Sequence, residues 1–385
     1  MDKVYELLVI GGGISSCTLV SSCIQNGFKG EIAIIEAGRN LGGRCSSRFS
    51  LKNKGSIISH GAPNFNIINE ENNKKLYIYI NQLLINKLIR KDNSLTLQFD
   101  EELNISNVNN NIFYKGDVYM PVNSMFNLAK GIVELNNINN QIDFYFQTMI
   151  KDLRYIENQW ILTTFDNRKF KTKFLVLASN LLIHPRIKNI LNLKYIPLRK
   201  AIEKNKCKVI DEIIYKLNYQ KFIKRTNLLI YTKKDYKINN LSERRNIHFL
   251  FNEKAEENYG IERIIFQHQE DNKLSIVLHT RDSKLIRENN KDKDNPFFKK
   301  DILNRFNNIF KNNFFINELF DYEDISIMNW RASQPDAVTI PKRLQISEQF
   351  NIGFCGDWFE FNGFGRVEGA ITSALELSDK IINLI

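Results

Sequence analysis

Residues Val4 to Ile10 form an almost unbroken apolar run that stops abruptly at Gly11, Gly12 and Gly13. A strand that is apolar on both sides belongs in a parallel sheet whose two faces are covered. Small and apolar residues then continue from Ile14 to Asn26 as a helix does, and Gly27 supplies a C-cap. A second apolar run, Ile32 to Ile35, ends in Glu36. Strand, glycine turn, helix and strand in this order predict a βαβ opening, and with it an α/β fold class.

The turn carries chemistry. Gly11 permits a tight reversal, and Gly13 lets a pyrophosphate approach the backbone where Ile14 and Ser15 open a helix. The fingerprint's third glycine is replaced by Ser16, small enough for helix–strand packing. Glu36, followed by Ala37, stands about 20 residues beyond the glycines, where an acid accepts ribose hydroxyls. Next come Arg39, then Gly42, Gly43 and Arg44. A second glycine pair followed by a guanidinium can wrap a diphosphate from its other side, which favours FAD over NAD alone. The alternative for Arg39, Arg44 and Arg48 is a solvated basic loop.

The tail returns to the same theme. An apolar strand over 349–355 leads to Gly356 and Asp357, where the carboxylate can face a ribityl or phosphate group or simply cap a turn. A helix from Val367 to Ile382 opens beside Glu368, Gly369 and Ala370, so its first N–H groups can face a ring edge that gains negative charge on reduction. Met149 and Ile150, closing the run from Asp143, are placed with the cofactor residues. The stretch 186–320 mixes helical and strand-like runs and reads as an insertion. The organisation expected is a Rossmann-type nucleotide domain at 1–75, 105–185 and 325–385, with a mixed α+β substrate domain at 76–104 and 186–324.

Composition narrows the function classes. Lys and Arg outnumber Asp and Glu by 54 to 43, a formal charge of +11. The lysines are scattered, and the densest stretch, 284–300, is broken by Glu288, Asp292 and Asp294, so no basic face for nucleic acid is expected. No window is apolar enough for a membrane span. The start of the chain shows no leader pattern, and five widely spaced cysteines without a Cys-x-x-Cys suit reduced thiols, so a cytoplasmic location is expected.

Val9, Gly11 to Gly13, Glu36, Gly42 to Arg44, the strand-like Phe174 to Ala178 and Gly356–Asp357 together resemble the flavin amine-oxidase superfamily. Within it, Trp330 to Gln334, followed by Cys355 to Asp357 and Gly369 to Leu375, is most similar to the renalase group. The chain departs at Ser59, His60, Gly61, Ala62, Pro63 and Asn64, where relatives tend to carry Asp-x-Gly-Ala-Gln-Tyr. The resemblance implies a two-domain flavoprotein that binds FAD, with Gly61 and Ala62 near the flavin. It implies hydride transfer from a small molecule, above all a reduced nicotinamide dinucleotide or its isomer, to flavin N5, with dioxygen as acceptor. Two other readings stay open: an amine oxidase or desaturase with an apolar, arginine-free cavity, and a non-catalytic flavin-binding redox sensor.

Candidates for the substrate face are His60, Asn64, Trp330, Arg331, Trp358 and Phe361. Arg331 suits a substrate phosphate, or else ties a strand in place. His248, His268 and His279 have no metal-ligand spacing, and no metal site is expected.

Overall fold

The computed structural model describes residues 3–50, 52, 56–68, 73–108, 112–136, 140–233, 246–268, 273–281, 296–312 and 321–384. The opening βαβ unit forms as the apolar pattern demands: strand Val4–Ile10, helix Ile14–Gln25, strand Ile32–Ile35. These strands sit in an eight-stranded sheet that runs Ile142–Tyr145, Ile32–Ile35, Val4–Ile10, Lys169–Leu177 in parallel order and continues antiparallel into Gln159–Thr164 and Ile150–Ile156. Strand Lys169–Leu177 serves two neighbours. Its first half pairs with the meander, and its second half, Leu175 to Leu177, pairs in parallel with Ile352–Phe354 from the tail. The meander's reversals fall where Asn and Glu take left-handed backbone, at Glu157, Asn158 and Asn167.

Period-two alternation gives each face of this sheet its own core. Leu7, Val9, Ile34 and Val176 face the helices Ile14–Gln25, Met125–Glu134 and Val367–Ile382. Leu8, Ile10, Ile35, Leu175 and Leu177 face Trp160, Leu162 and the helix Lys208–Leu217.

A second sheet of seven strands runs in the order Tyr322–Asp336, Lys221–Thr232, Leu274–Thr280, Arg263–His268, Ile247–Phe251, Leu95–Phe99, Ile105–Asn107. One face packs Leu228, Ile230, Phe266, Ile276 and Leu278 against Ile302, Phe306 and Phe310 of the helix Pro296–Asn312. The other face, with Leu229, Ile265 and Val277, meets Ile58 of the first layer. Gln267 fastens the two layers: its amide donates to the Ser59 carbonyl at 2.8 Å and its oxygen accepts from the Ser59 N–H at 3.0 Å.

Packing redraws the expected boundaries. The helix Lys74–Ile85 buries Leu76, Tyr79, Ile80 and Leu83 in the first sheet's core, and residues 187–217 pack beneath its other face, although 76–104 and 186–324 are expected in the substrate domain. Conversely, Ile105–Asn107 is an edge strand of the second sheet, and all of Tyr322–Asp336 belongs there too. An apolar stripe shows that a helix is amphipathic but not which of two sheets it covers. Within the stretch 186–320 the helix Lys208–Leu217 gives way to a strand at Lys221. All five cysteines are free and buried. Among the described residues no helix is long and apolar enough to cross a membrane.

Candidate functional site

The two sheets close over one cavity of about 1300 Å³, lined from both sides. Single-ligand pockets usually span about 300–1,000 Å³, so this space is large enough for a large ligand and a smaller one together.

Its floor is the glycine turn. Gly11 has φ +103° and donates to the Ile35 carbonyl at 2.8 Å, which turns the chain off the strand. Gly13 is extended and caps the first helix with no side-chain bond, and a Cβ there would meet nothing within 4 Å. Gly13, Ile14 and Ser15 line the cavity, so the start of the first helix faces it. Gly42 donates to the Gly12 carbonyl at 2.8 Å, which lays the second glycine pair alongside the first. Glu36 holds this corner: its carboxylate accepts from the Gly12 N–H at 2.6 Å and from the Gly38 N–H at 2.5 Å while still facing the cavity. The last helix, Val367–Ile382, also begins without a side-chain cap, and Gly365, Arg366, Val367 and Ala370 line the same space. Two uncapped helix N-termini on one cavity suit a group that carries negative charge at both places.

The roof is the second sheet's polar face. Arg225, Asn227, Arg263, His279, Met328 and Trp330 point into the cavity from four neighbouring strands. Each of the three Arg225 nitrogens is engaged, with bonds to Glu262 at 2.5 and 2.7 Å and to Ser333 at 2.7 Å. Arg186 lies over the Phe222 ring at 3.9 Å and donates to Asn180, and burial together with the nearby Arg44 guanidinium lowers its pKa to about 10. His60 is buried and stacks on Trp330 at 5.3 Å. Burial, helped by Arg48, pulls its pKa down to about 4, so the ring is neutral.

Of the expected residues, Gly11, Gly13, Ile14, Ser15, Glu36, Arg39, Gly43, Arg44, Gly61, Ala62, Asp357 and Ala370 line the cavity, as do His60, Asn64, Trp330 and Trp358. Several are otherwise employed. Arg44 holds Asp357 through bonds of 2.7 and 2.6 Å instead of standing free, and Asn64 donates to Asp92 at 2.5 Å.

Nine expected residues lie outside the cavity lining. Ser16 is buried and donates to the Gly13 carbonyl at 2.7 Å, Ala37 is exposed beyond the corner, and Ile150 is in the far core with Met149 beside it. Gly356, with φ +142°, makes room for the Trp358 indole. Glu368 is fully buried, paired with Arg366 at 2.8 Å and accepting from the Ile68 N–H at 3.3 Å. Gly369 passes the Gly363 carbonyl so closely that a Cβ would sit 2.4 Å from it. Phe361 packs on the far core. Arg331 is exposed, because it alternates with Trp330 along its strand and turns to the opposite face.

Sequence reasoning missed Arg186, Phe222, Arg225, Asn227, Arg263 and Met328, and passed over His279. The signal present was polar residues at alternate positions of otherwise apolar strands, as at Arg225 and Asn227 before Leu229 and Tyr231.

The family model described as an NAD(P)-binding Rossmann-like domain matches residues 9–82. No curated protein matches the sequence. Among solved structures, cyclohexylamine oxidase from Brevibacterium oxydans IH-35A superposes with TM-score 0.68 at 8% identity over 99% of each chain. A putative protoporphyrinogen oxidase from Exiguobacterium sp. 255-15 superposes at 0.64 and 11% identity, and putrescine oxidase bound to putrescine at 0.64 and 10%, each over 100% of both chains. At these identities the likeness is one of fold, over the whole length of the chain.

Proposed function

We propose that the protein is an FAD-dependent oxidoreductase that oxidises a dihydronicotinamide dinucleotide or an isomer of one, with dioxygen as the acceptor. The supporting observation is the pair of uncapped helix N-termini opening on one cavity whose far wall is polar and cationic.

In this reading Glu36 accepts ribose hydroxyls, and the backbone of Gly13, Ile14 and Ser15 takes the pyrophosphate at the first helix, with Gly43 and Arg44 on its other side. Asp357 meets the ribityl end, and Ala370 with the last helix's first turn meets the pyrimidine edge. The empty space above Gly13 is the cradle that such a group fills. Bound FAD supplies an electron sink that accepts a hydride at N5. The protein's part is to position and to exclude water: His60 stacked on Trp330 gives a substrate an aromatic wall, and the neutral His60 adds no charge there.

The alternative is oxidation of a hydrophobic amine, in line with what two of the fold's relatives are named for. That reading calls for an apolar, arginine-free wall, whereas Arg48, Arg186, Arg225 and Arg263 line this cavity. The deciding experiment is anaerobic bleaching of the purified protein's flavin by reduced nicotinamide dinucleotides, their isomers and a panel of amines. Bleaching by the nicotinamides alone supports the proposal. Bleaching by amines alone, or no bound FAD at all, overturns it.

A further inference from the structure

Ten buried side-chain N or O atoms of the described residues have no hydrogen-bond partner, and six of them belong to residues lining this cavity: His60, Arg186, Asn227, Arg263, His279 and Trp330. A buried polar atom left unpaired costs about 1–3 kcal/mol, so such a concentration marks atoms arranged for something that binds.

The roof strands set these atoms side by side. Arg263 pairs across strands with His279, His279 with Asn227, and Asn227 with Met328, while Trp330 stands opposite Arg225 one step along. Directly paired residues have Cβ atoms about 5 Å apart, so His279 and Asn227 can grip one small planar group.

Each atom's role follows from its neighbours. The Asn227 amide nitrogen donates to the His60 carbonyl at 2.5 Å, and a carbonyl only accepts, so the free Asn227 Oδ1 is an acceptor. Arg263 only donates, and its Nη2 lies 3.4 Å from His279 Nδ1, which makes that nitrogen the acceptor. Burial and the guanidinium charges of Arg263 and Arg225 keep the His279 ring neutral, so its unpaired Nε2 carries the proton. The indole Nε1 of Trp330 and the Nε of Arg263 are donors as well. The strand atoms of Arg263, His279, Asn227 and Trp330 therefore offer three donors beside one acceptor, which matches the C=O and N–H edge of an amide. A carboxylate would satisfy the donors but would set its oxygen against Asn227 Oδ1.

We infer that Asn227 and His279 form a subsite for a planar amide, with His279 Nε2–H bonding the amide oxygen and Asn227 Oδ1 receiving the amide N–H. The carboxamide of a nicotinamide is such a group, and on that point the inference rests on the function proposed above.

Titration calorimetry on the FAD-loaded protein tests it with nicotinamide mononucleotide, its acetylpyridine analogue, which lacks the N–H, and nicotinic acid mononucleotide, which replaces amide with carboxylate. The amide should bind about tenfold tighter than either, the ratio expected for one hydrogen bond. His279→Phe should weaken amide binding about tenfold, and Asn227→Ala should bring the amide-to-acetyl ratio near one. An acid that binds as tightly as the amide, an acetyl analogue equal to it, an amide affinity unmoved by His279→Phe, or an amide-to-acetyl ratio unmoved by Asn227→Ala overturns the subsite. If Asn227→Ala does not fold, the parent ratios and His279→Phe decide. Amide-selective binding without flavin bleaching by any dihydronicotinamide keeps the subsite and overturns the redox reading. Bleaching with a flat ligand ranking does the reverse.

Discussion

Arg44 and Asp357, 313 positions apart in sequence, are joined by two hydrogen bonds of 2.7 and 2.6 Å, which ties the second glycine turn to the loop after the last strand of the sheet. The pair is lopsided in burial: the Arg44 side chain is 41% exposed and that of Asp357 only 7%. The asymmetry has a consequence for stability. Arg44→Ala strands a buried carboxylate, while Asp357→Ala leaves a guanidinium that can reach water, so the first should destabilise by about 2–4 kcal/mol and the second by about 1–2 kcal/mol. Urea unfolding of the two variants gives the ranking, and the reverse order would show that Arg44 is the more deeply committed partner.

Glu36 carries two tasks, bracing the Gly12 and Gly38 amides and, in the proposed function, accepting ribose hydroxyls. Glu36→Ala should weaken FAD retention by about 1–3 kcal/mol, about tenfold to a hundredfold. Flavin absorbance after dilution and ultrafiltration measures this, and retention equal to the parent's would remove Glu36 from the binding site.

Buried histidines govern the acid side of the stability profile. Burial is the main cause that brings His60, His184 and His248 each down to about 4. In the unfolded chain a histidine titrates near about 6.5, so below that pH the unfolded state binds protons that the folded state refuses. Stability should be level from pH 8 to 7 and fall by about 2 kcal/mol for each such histidine between about pH 7 and 5. Unfolding midpoints across this range check the slope, and a flat profile down to pH 5 would mean that these rings are solvated.

Arg331 projects from the face of its strand opposite Trp330 and is exposed. Arg331→Ala should therefore leave stability within about 0.5 kcal/mol of the parent and flavin reduction rates unchanged. Stopped-flow reduction at low substrate is the measurement, and a tenfold slowing would return Arg331 to the substrate's path.

Gly61 approaches the backbone of Arg44 so closely that a Cβ would lie 1.9 Å from its carbonyl oxygen. No side chain can move aside to relieve this contact, so Gly61→Ala should destabilise by more than about 3 kcal/mol and, in the proposed function, lose flavin, as seen by thermal melts and by the colour of the soluble fraction. A melting temperature equal to the parent's would mean that the loop shifts freely.

The nucleotide half of the molecule was legible in the sequence because its signals are local. An apolar strand, three glycines, an uncapped helix start and Glu36 all lie within one short stretch, and backbone sterics and helix-end electrostatics act over that same span. The C-terminal helix over 367–382 was legible for the same reason. The opposite wall was not. Whether Arg331 or Trp330 faces the cavity depends on the register of a strand, and a shift of one residue would exchange them. Asn227, Arg263 and His279 become neighbours only when three strands pair, and Glu368 takes the Ile68 N–H, 300 positions away, once the helix docks. The chain's local chemistry determined the glycine turn and the helix start that the proposed cofactor uses, and the tertiary structure decided which side chains face the cavity, because strand register and burial are settled by packing between segments distant in sequence.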